Sequence, residues 1–185
     1  MDDSIRSHPA WWLSGILLIT IVLVSCSPLT STPQGTVQTI VQDVPFYPED
    51  RYWCGPASLA GVMNHWSDAP GPRAVAEATY SPSAGGTLMA DLAWYARQQG
   101  FDAEVTTMNS RELRAHLDRG QPIIVFVARR GLFQNYNHFM VVVGYTDRGV
   151  IVNSGLRQKA FLHEETFRTL WNKNDRYALI VTPRN

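Results

Sequence analysis

Cys54 stands in "RYWCGPASLAGV", which runs from Arg51 to Val62, and is followed by Gly55, Pro56 and helix-forming residues. Pro56 suits the first position of a helix, where its missing N–H leaves nothing unsatisfied. Leu59, Val62, Met63 and Trp66 then recur at i, i+3, i+4 and i+7, the stripe of a helix with one buried face. The spacing predicts a helix over Pro56–Trp66 and puts Cys54 within two residues of its start. Unpaired N–H groups and the macrodipole favour an anion there, and thiols so placed fall from a pKa near ~8.5 to roughly 3.5–7.5. From these residues alone, Cys54 is either a small buried hydrophobe or a thiolate nucleophile.

A thiol nucleophile needs a base within reach and a third group to hold that base. Among the five histidines, His8 lies in the apolar leader region, while His65, His116 and His163 read as solvated or capping residues of helices. His138 is different, because it follows the polar stretch "RRGLFQNYN" and opens a nearly continuous apolar strand. That places an imidazole at the rim of a sheet, as a general base or as a strand-start histidine bonded to backbone. Asn153, in "VIVNSG", lies 15 residues further on across a tight turn, so the two belong to neighbouring antiparallel strands. Its side-chain carbonyl could accept the Nδ1–H of His138 and leave Nε2 towards the thiol. A shift of two residues moves such a pair by roughly 7 Å, so the spacing permits the contact without fixing it.

The elements that must carry these groups are helical first and extended afterwards. Helices are expected over Pro72–Thr79 and Thr87–Gln99, after Asn109 with Glu112 three residues on as a capping box, and over Glu164–Trp171. After Gly120, "PIIVFVA", "HFMVVVGY", "VIVN" and "YALIVTP" read as strands separated by turn formers. The order indicates an α+β domain with N-terminal helices packed on a mainly antiparallel C-terminal sheet.

The chain has 185 residues, enough for one domain with its own core. Its 16 basic and 16 acidic residues balance, so no chain-wide field recruits nucleic acid. No zinc-type cysteine spacing, phosphate-cradling glycine loop or internal repeat is present, and neither a metal nor a cofactor is implied. Trp11 to Val24 is an apolar run of 14 residues, short of the ~20 needed to span a membrane and suited to a secretory signal. It ends at Leu23, Val24, Ser25 and Cys26, which resembles the lipobox of bacterial lipoproteins. On that resemblance residues 1–25 are a signal peptide and Cys26 is lipidated; the other reading is an uncleaved anchor. Residues 26–42, rich in Ser, Thr, Pro and Gln, read as a tether, and the domain as residues 43–185. Cys26 is the only other cysteine, so its lipidation leaves Cys54 a lone thiol in a compartment where cysteines usually pair.

"DVPFYPEDRYWCGPASLAGVMNHW", followed by "NHFMVVVGY" and "VIVNSG", resembles the papain-like cysteine peptidases of the bacteriocin-processing, double-glycine-leader group, family thirty-nine of the cysteine peptidases. It is most similar to stand-alone, exported, lipoprotein-like members. The resemblance implies a papain-like fold, with Cys54 as nucleophile, His138 as base and Asn153 as the orienting residue. Two positions depart from the pattern. Glu49 stands where the family has a glutamine that donates to the oxyanion, and Ser154 stands where the bacteriocin-processing branch has an aspartate. The expectation is an exported cysteine peptidase, a monomer acting on a peptide or protein substrate. A lipid anchor would hold it to a bacterial membrane in the cell envelope, on the periplasmic face of the outer membrane. The alternatives are a weak or inactive papain-like peptide-binding module and a cell-wall amide hydrolase.

Overall fold

The β-branched runs of the C-terminal half supply most of one seven-stranded antiparallel sheet, seen in a computed structural model that describes residues 34–49, 52–130 and 135–184. The elements in chain order are β1 (Val37–Ile40), α1 (Cys54–Trp66), α2 (Pro72–Thr79), β2 (Tyr80–Ser81), β3 (Gly86–Thr87), α3 (Met89–Gln98), β4 (Phe101–Thr107) and α4 (Ser110–Asp118). They continue with β5 (Ile123–Arg130), β6 (Asn135–Thr146), β7 (Gly149–Ser154), β8 (Arg157–His163), α5 (Glu164–Asn172) and β9 (Tyr177–Pro183). Sheet order is β4-β9-β5-β6-β7-β8, with β1 added to β6. β2 and β3 form a separate small hairpin.

The central strand β6 pairs with β5 from Asn135 to Val142 and with β7 from Val141 to Tyr145. Its start is therefore covered on the β5 side, while His138 and Phe139 lie beyond the last residue that pairs with β7. That uncovered edge is where a helix N-terminus can approach the sheet. α1 supplies it, packing on β5, β6 and β9 with α2 and α3 beside it. Leu59, Val62 and Met63 are fully buried, as their spacing predicts, and Trp66 Nε1–H donates to the Val181 carbonyl of β9 at 2.8 Å. Gly61 has a specific reason to be glycine: a Cβ there would lie 2.7 Å from the Pro45 carbonyl oxygen. The segment leading to α1 thus runs hard against the helix.

Mixed helices and antiparallel strands match the predicted fold class, and the capping box of α4 is present. Asn109 Oδ1 accepts from the N–H groups of Arg111 and Glu112, and Glu112 Oε2 accepts from the N–H of Asn109. The predicted domain start at Asp43 needs correction, because β1 lies inside the stretch read as tether. Its polar residues hid it, yet Val41 is buried and its N–H donates to Val143 at 2.7 Å. Asp118 Oδ1 also accepts from Thr39 on β1 and Tyr145 on β6, at 2.6 and 2.9 Å. The signal run, Cys26 and the tether as far as Pro33 lie outside the described residues.

Candidate active site

Cys54 is the first residue of α1. The N-cap, Trp53, offers no side-chain cap and the first turn contains no acidic residue, so the helix's own first turn adds no carboxylate to its electropositive end. Cys54 is buried to 8% exposure, at a cleft of about 400 Å³ lined in part by Tyr52, Gly86, Thr87, Tyr136 and Phe139. The β2–β3 hairpin forms one wall and the exposed start of β6 the other.

The thiol's charge balance differs from that predicted from helix position alone. Burial pushes its pKa above the ordinary value, the Phe139 N–H pulls it down, the Glu49 carboxylate pushes it up, and the N–H groups of Gly55 and Cys54 pull it down. The net direction is upward. A helix start favours a thiolate, but desolvation opposes any charge, and here it outweighs the donors. Two further facts follow. The Phe139 N–H, on the β6 edge that β7 leaves uncovered, reaches the sulfur, so Cys54 sits beside the residue that follows His138. Glu49 also lies close enough for its field to act on the thiol.

His138 is buried to 4% exposure, and its Nε2 lies 2.9 Å from Ser154 Oγ at the end of β7. Tyr136, two residues before it, meets the imidazole edge-on with ring centroids 6.4 Å apart. Burial lowers the His138 pKa to about 4, with the charge of Arg129 as the second cause. The ring is therefore neutral at neutral pH.

Asn153 does not take the orienting position expected of it. Its Oδ1 accepts from the Lys159 N–H at 2.9 Å, where β7 and β8 slip register and Lys159 adopts a φ of 51°. Successive strand residues point to opposite faces, so Asn153 closes this irregularity while its neighbour Ser154 meets the imidazole. The ring is also turned the other way round, with Nε2 on Ser154 and Nδ1 as the remaining nitrogen. The family pattern leaves the third position open between Asn153 and Ser154, and it is Ser154 that stands at the ring.

Glu49 precedes α1, and its N–H donates to the Gly155 carbonyl at 3.2 Å, just past Ser154. It lines a small cavity of about 20 Å³ together with Ala57, Ser58, Phe139 and Ser154. Among the described residues no three His, Cys, Asp or Glu side chains come together to hold a metal.

Residues 36–179, carrying both the Cys54 and the His138–Ser154 elements, match the profile of the Peptidase_C39 like family. The chain belongs to that family. A C39-like peptidase from Bacillus anthracis superposes with a TM-score of 0.62 at 18% identity, covering 80% of this chain and 98% of that one. The peptidase domain of Streptococcus ComA, a bi-functional ABC transporter involved in a quorum-sensing pathway, gives 0.62 at 22% identity, covering 76% and 99%. A double glycine motif protease from an AMS/PCAT transporter, in complex with the leader peptide, gives 0.59 at 20% identity, covering 83% and 100%. These similarities establish the C39, papain-like peptidase fold. No curated protein sequence matches the chain.

Proposed function

We propose that this C39-family chain is a cysteine peptidase that cleaves an extended peptide through a thioester on Cys54. The observation that carries the reading is the pairing at the open edge of β6. There the Phe139 N–H meets the Cys54 sulfur, and the preceding residue, His138, is held by Ser154. With Nε2–H donating to Ser154 Oγ, Nδ1 keeps its lone pair and takes the Cys54 proton as sulfur attacks the scissile carbonyl carbon. Backbone N–H groups at the start of α1 face the oxyanion. Collapse breaks the C–N bond, and the proton passes from His138 to the leaving amine. Water, deprotonated by the same nitrogen, then hydrolyses the thioester and restores the thiol. Because the thiol is raised and the imidazole lowered, the resting pair is neutral. Proton transfer must then accompany attack instead of preceding it.

The substrate class is a peptide with small residues at the bond cut, by analogy with the double glycine motif protease. The signal-like run and Cys26 support placement outside the cytoplasm as a stand-alone lipoprotein on a bacterial membrane. The opposition of Glu49 to a Cys54 thiolate favours one other reading, a peptide-binding module that does not cut. Incubating the full chain with an extended peptide containing Gly-Gly, with fragments read by mass spectrometry, separates the two. Cleavage lost in Cys54→Ser is expected; an uncut but bound peptide supports the binding module. Palmitate labelling lost in Cys26→Ala is expected of the anchor, and an unlabelled wild-type chain refutes it.

A further inference from the structure

Three features hold Glu49 against the helix and strands that carry the site. Its N–H is pinned to the Gly155 carbonyl at 3.2 Å. Its segment is pressed onto α1, where Gly61 leaves room for the Pro45 carbonyl. Its side chain borders the cavity of about 20 Å³ between Ala57 and Ser58 of α1, Phe139 of β6 and Ser154 of β7. From there its charge is felt at the Cys54 sulfur, so it is also felt at an oxyanion whose oxygen lies two bonds from that sulfur. An ionised carboxylate only accepts hydrogen bonds, whereas a protonated one has an O–H to donate. The same side chain therefore opposes the reaction in one protonation state and can assist it in the other. A well-placed oxyanion donor is worth on the order of 10²–10³ in turnover, and a carboxylic acid kept neutral by its site can serve as one.

We infer that Glu49 is a catalytic group working as the neutral acid, donating its O–H to the oxyanion formed on the carbonyl attacked by Cys54, so that hydrolysis is confined to acid solution. This rests on the peptidase reading above and adds its regulation. Of the titratable groups among the described residues, Cys54 from α1 feels the carboxyl and Tyr47 from its own segment lines the same cavity, while His138 from β6 stands behind Ser154 with Arg129 of β5 acting on its ring. Tyr52 and Tyr136 border the neighbouring cleft, and β7 contributes only the neutral Asn153 and Ser154. His138 stays neutral down to about 4, so the base keeps its lone pair in mildly acid solution. No proton leaves Glu49 in the step. Its hydrogen bond shortens as the oxyanion forms and relaxes when the amine departs.

The test is kcat/KM against pH for the full chain, using dye-quenched denatured casein, for wild type, Glu49→Gln, Glu49→Ala and Cys54→Ser. Wild-type activity is expected to fall by up to about tenfold per pH unit once Glu49 ionises. Glu49→Gln, a permanent neutral donor, should hold its activity over that range and overtake wild type. Glu49→Ala should be slower than wild type in acid, having lost the donor, and faster at high pH, having lost the charge. Profiles that differ only by a constant factor overturn the inference and leave the peptidase reading intact, as does a Glu49→Ala variant at least as fast as wild type in acid. Absence of Cys54-dependent hydrolysis in wild type and both Glu49 variants, at every pH, overturns inference and reading together.

Discussion

Lowering the pH should cost the folded chain stability through His138, by an amount that its burial sets. The imidazole is displaced from its ordinary 6.5 to about 4, because desolvation and Arg129 penalise the charged ring. An unfolded chain binds this proton near 6.5, the native chain only near 4. Above 6.5 both states are neutral and the native preference for neutral imidazole is fully expressed. It is then lost as pH falls from 6.5 to about 4, the window in which the unfolded state holds more protons. At 1.36 kcal/mol per unit, the loss comes to about 3 kcal/mol, a sizeable fraction of the ~5–15 kcal/mol of a typical domain. Urea unfolding of wild type and His138→Gln, followed by tryptophan fluorescence across this window, isolates the effect. Carboxylates contribute alike in both proteins, so the difference between the two slopes belongs to residue 138. Wild type should lose about 3 kcal/mol more than the variant. Parallel curves would refute the claim that the ring is buried uncharged.

Ser154→Asp replaces a hydroxyl that can donate or accept with a carboxylate that only accepts. It should fix Nε2–H, raise the His138 pKa above about 4 as read by NMR titration, and increase hydrolysis; an unmoved titration means that residue 154 does not face the ring. Glu49→Gln removes one of the two influences that raise the thiol. Its iodoacetamide alkylation profile should therefore shift to lower pH than that of wild type, and coincident profiles would place the carboxylate away from Cys54. Asp118 accepts from Thr39 and Tyr145, and these hydrogen bonds hold its pKa below the ordinary carboxylate value. The stability it lends is present above the unfolded value and lost as pH falls through the lower, folded one. Asp118→Ala should accordingly speed amide exchange at Val41 relative to β5, whereas unchanged exchange would mean that β1 is held by its backbone ladder alone.

The parts of the fold with strong periodicity were legible in the sequence. The stripe Leu59, Val62, Met63 and Trp66 gave α1, the Asn109–Glu112 pair gave the start of α4, and Tyr177–Pro183 emerged with its predicted bounds. Weakly apolar strands were not. β8, "RQKAFLH", is a largely exposed strand at the sheet's edge, and β1 carries little apolar signal of its own because its order comes from pairing with β6. Within the site, residue types marked Cys54 and His138, but two properties depend on tertiary geometry. One is the orienting partner, decided between Asn153 and Ser154 by strand alternation and by a bulge at Lys159. The other is the sign of the thiol shift, which helix position alone predicts as downward and which burial and Glu49 turn upward.

The peptidase reading is tested most directly by labelling Cys54 with a peptidyl acyloxymethyl ketone ending in Gly-Gly, and following label and residual casein hydrolysis together in the full chain. Label confined to Cys54 by peptide mapping, with activity falling in proportion and neither seen in His138→Ala, is the predicted result. Hydrolysis that persists with Cys54 fully occupied, or a native thiol that takes no label while the unfolded chain does, would contradict it.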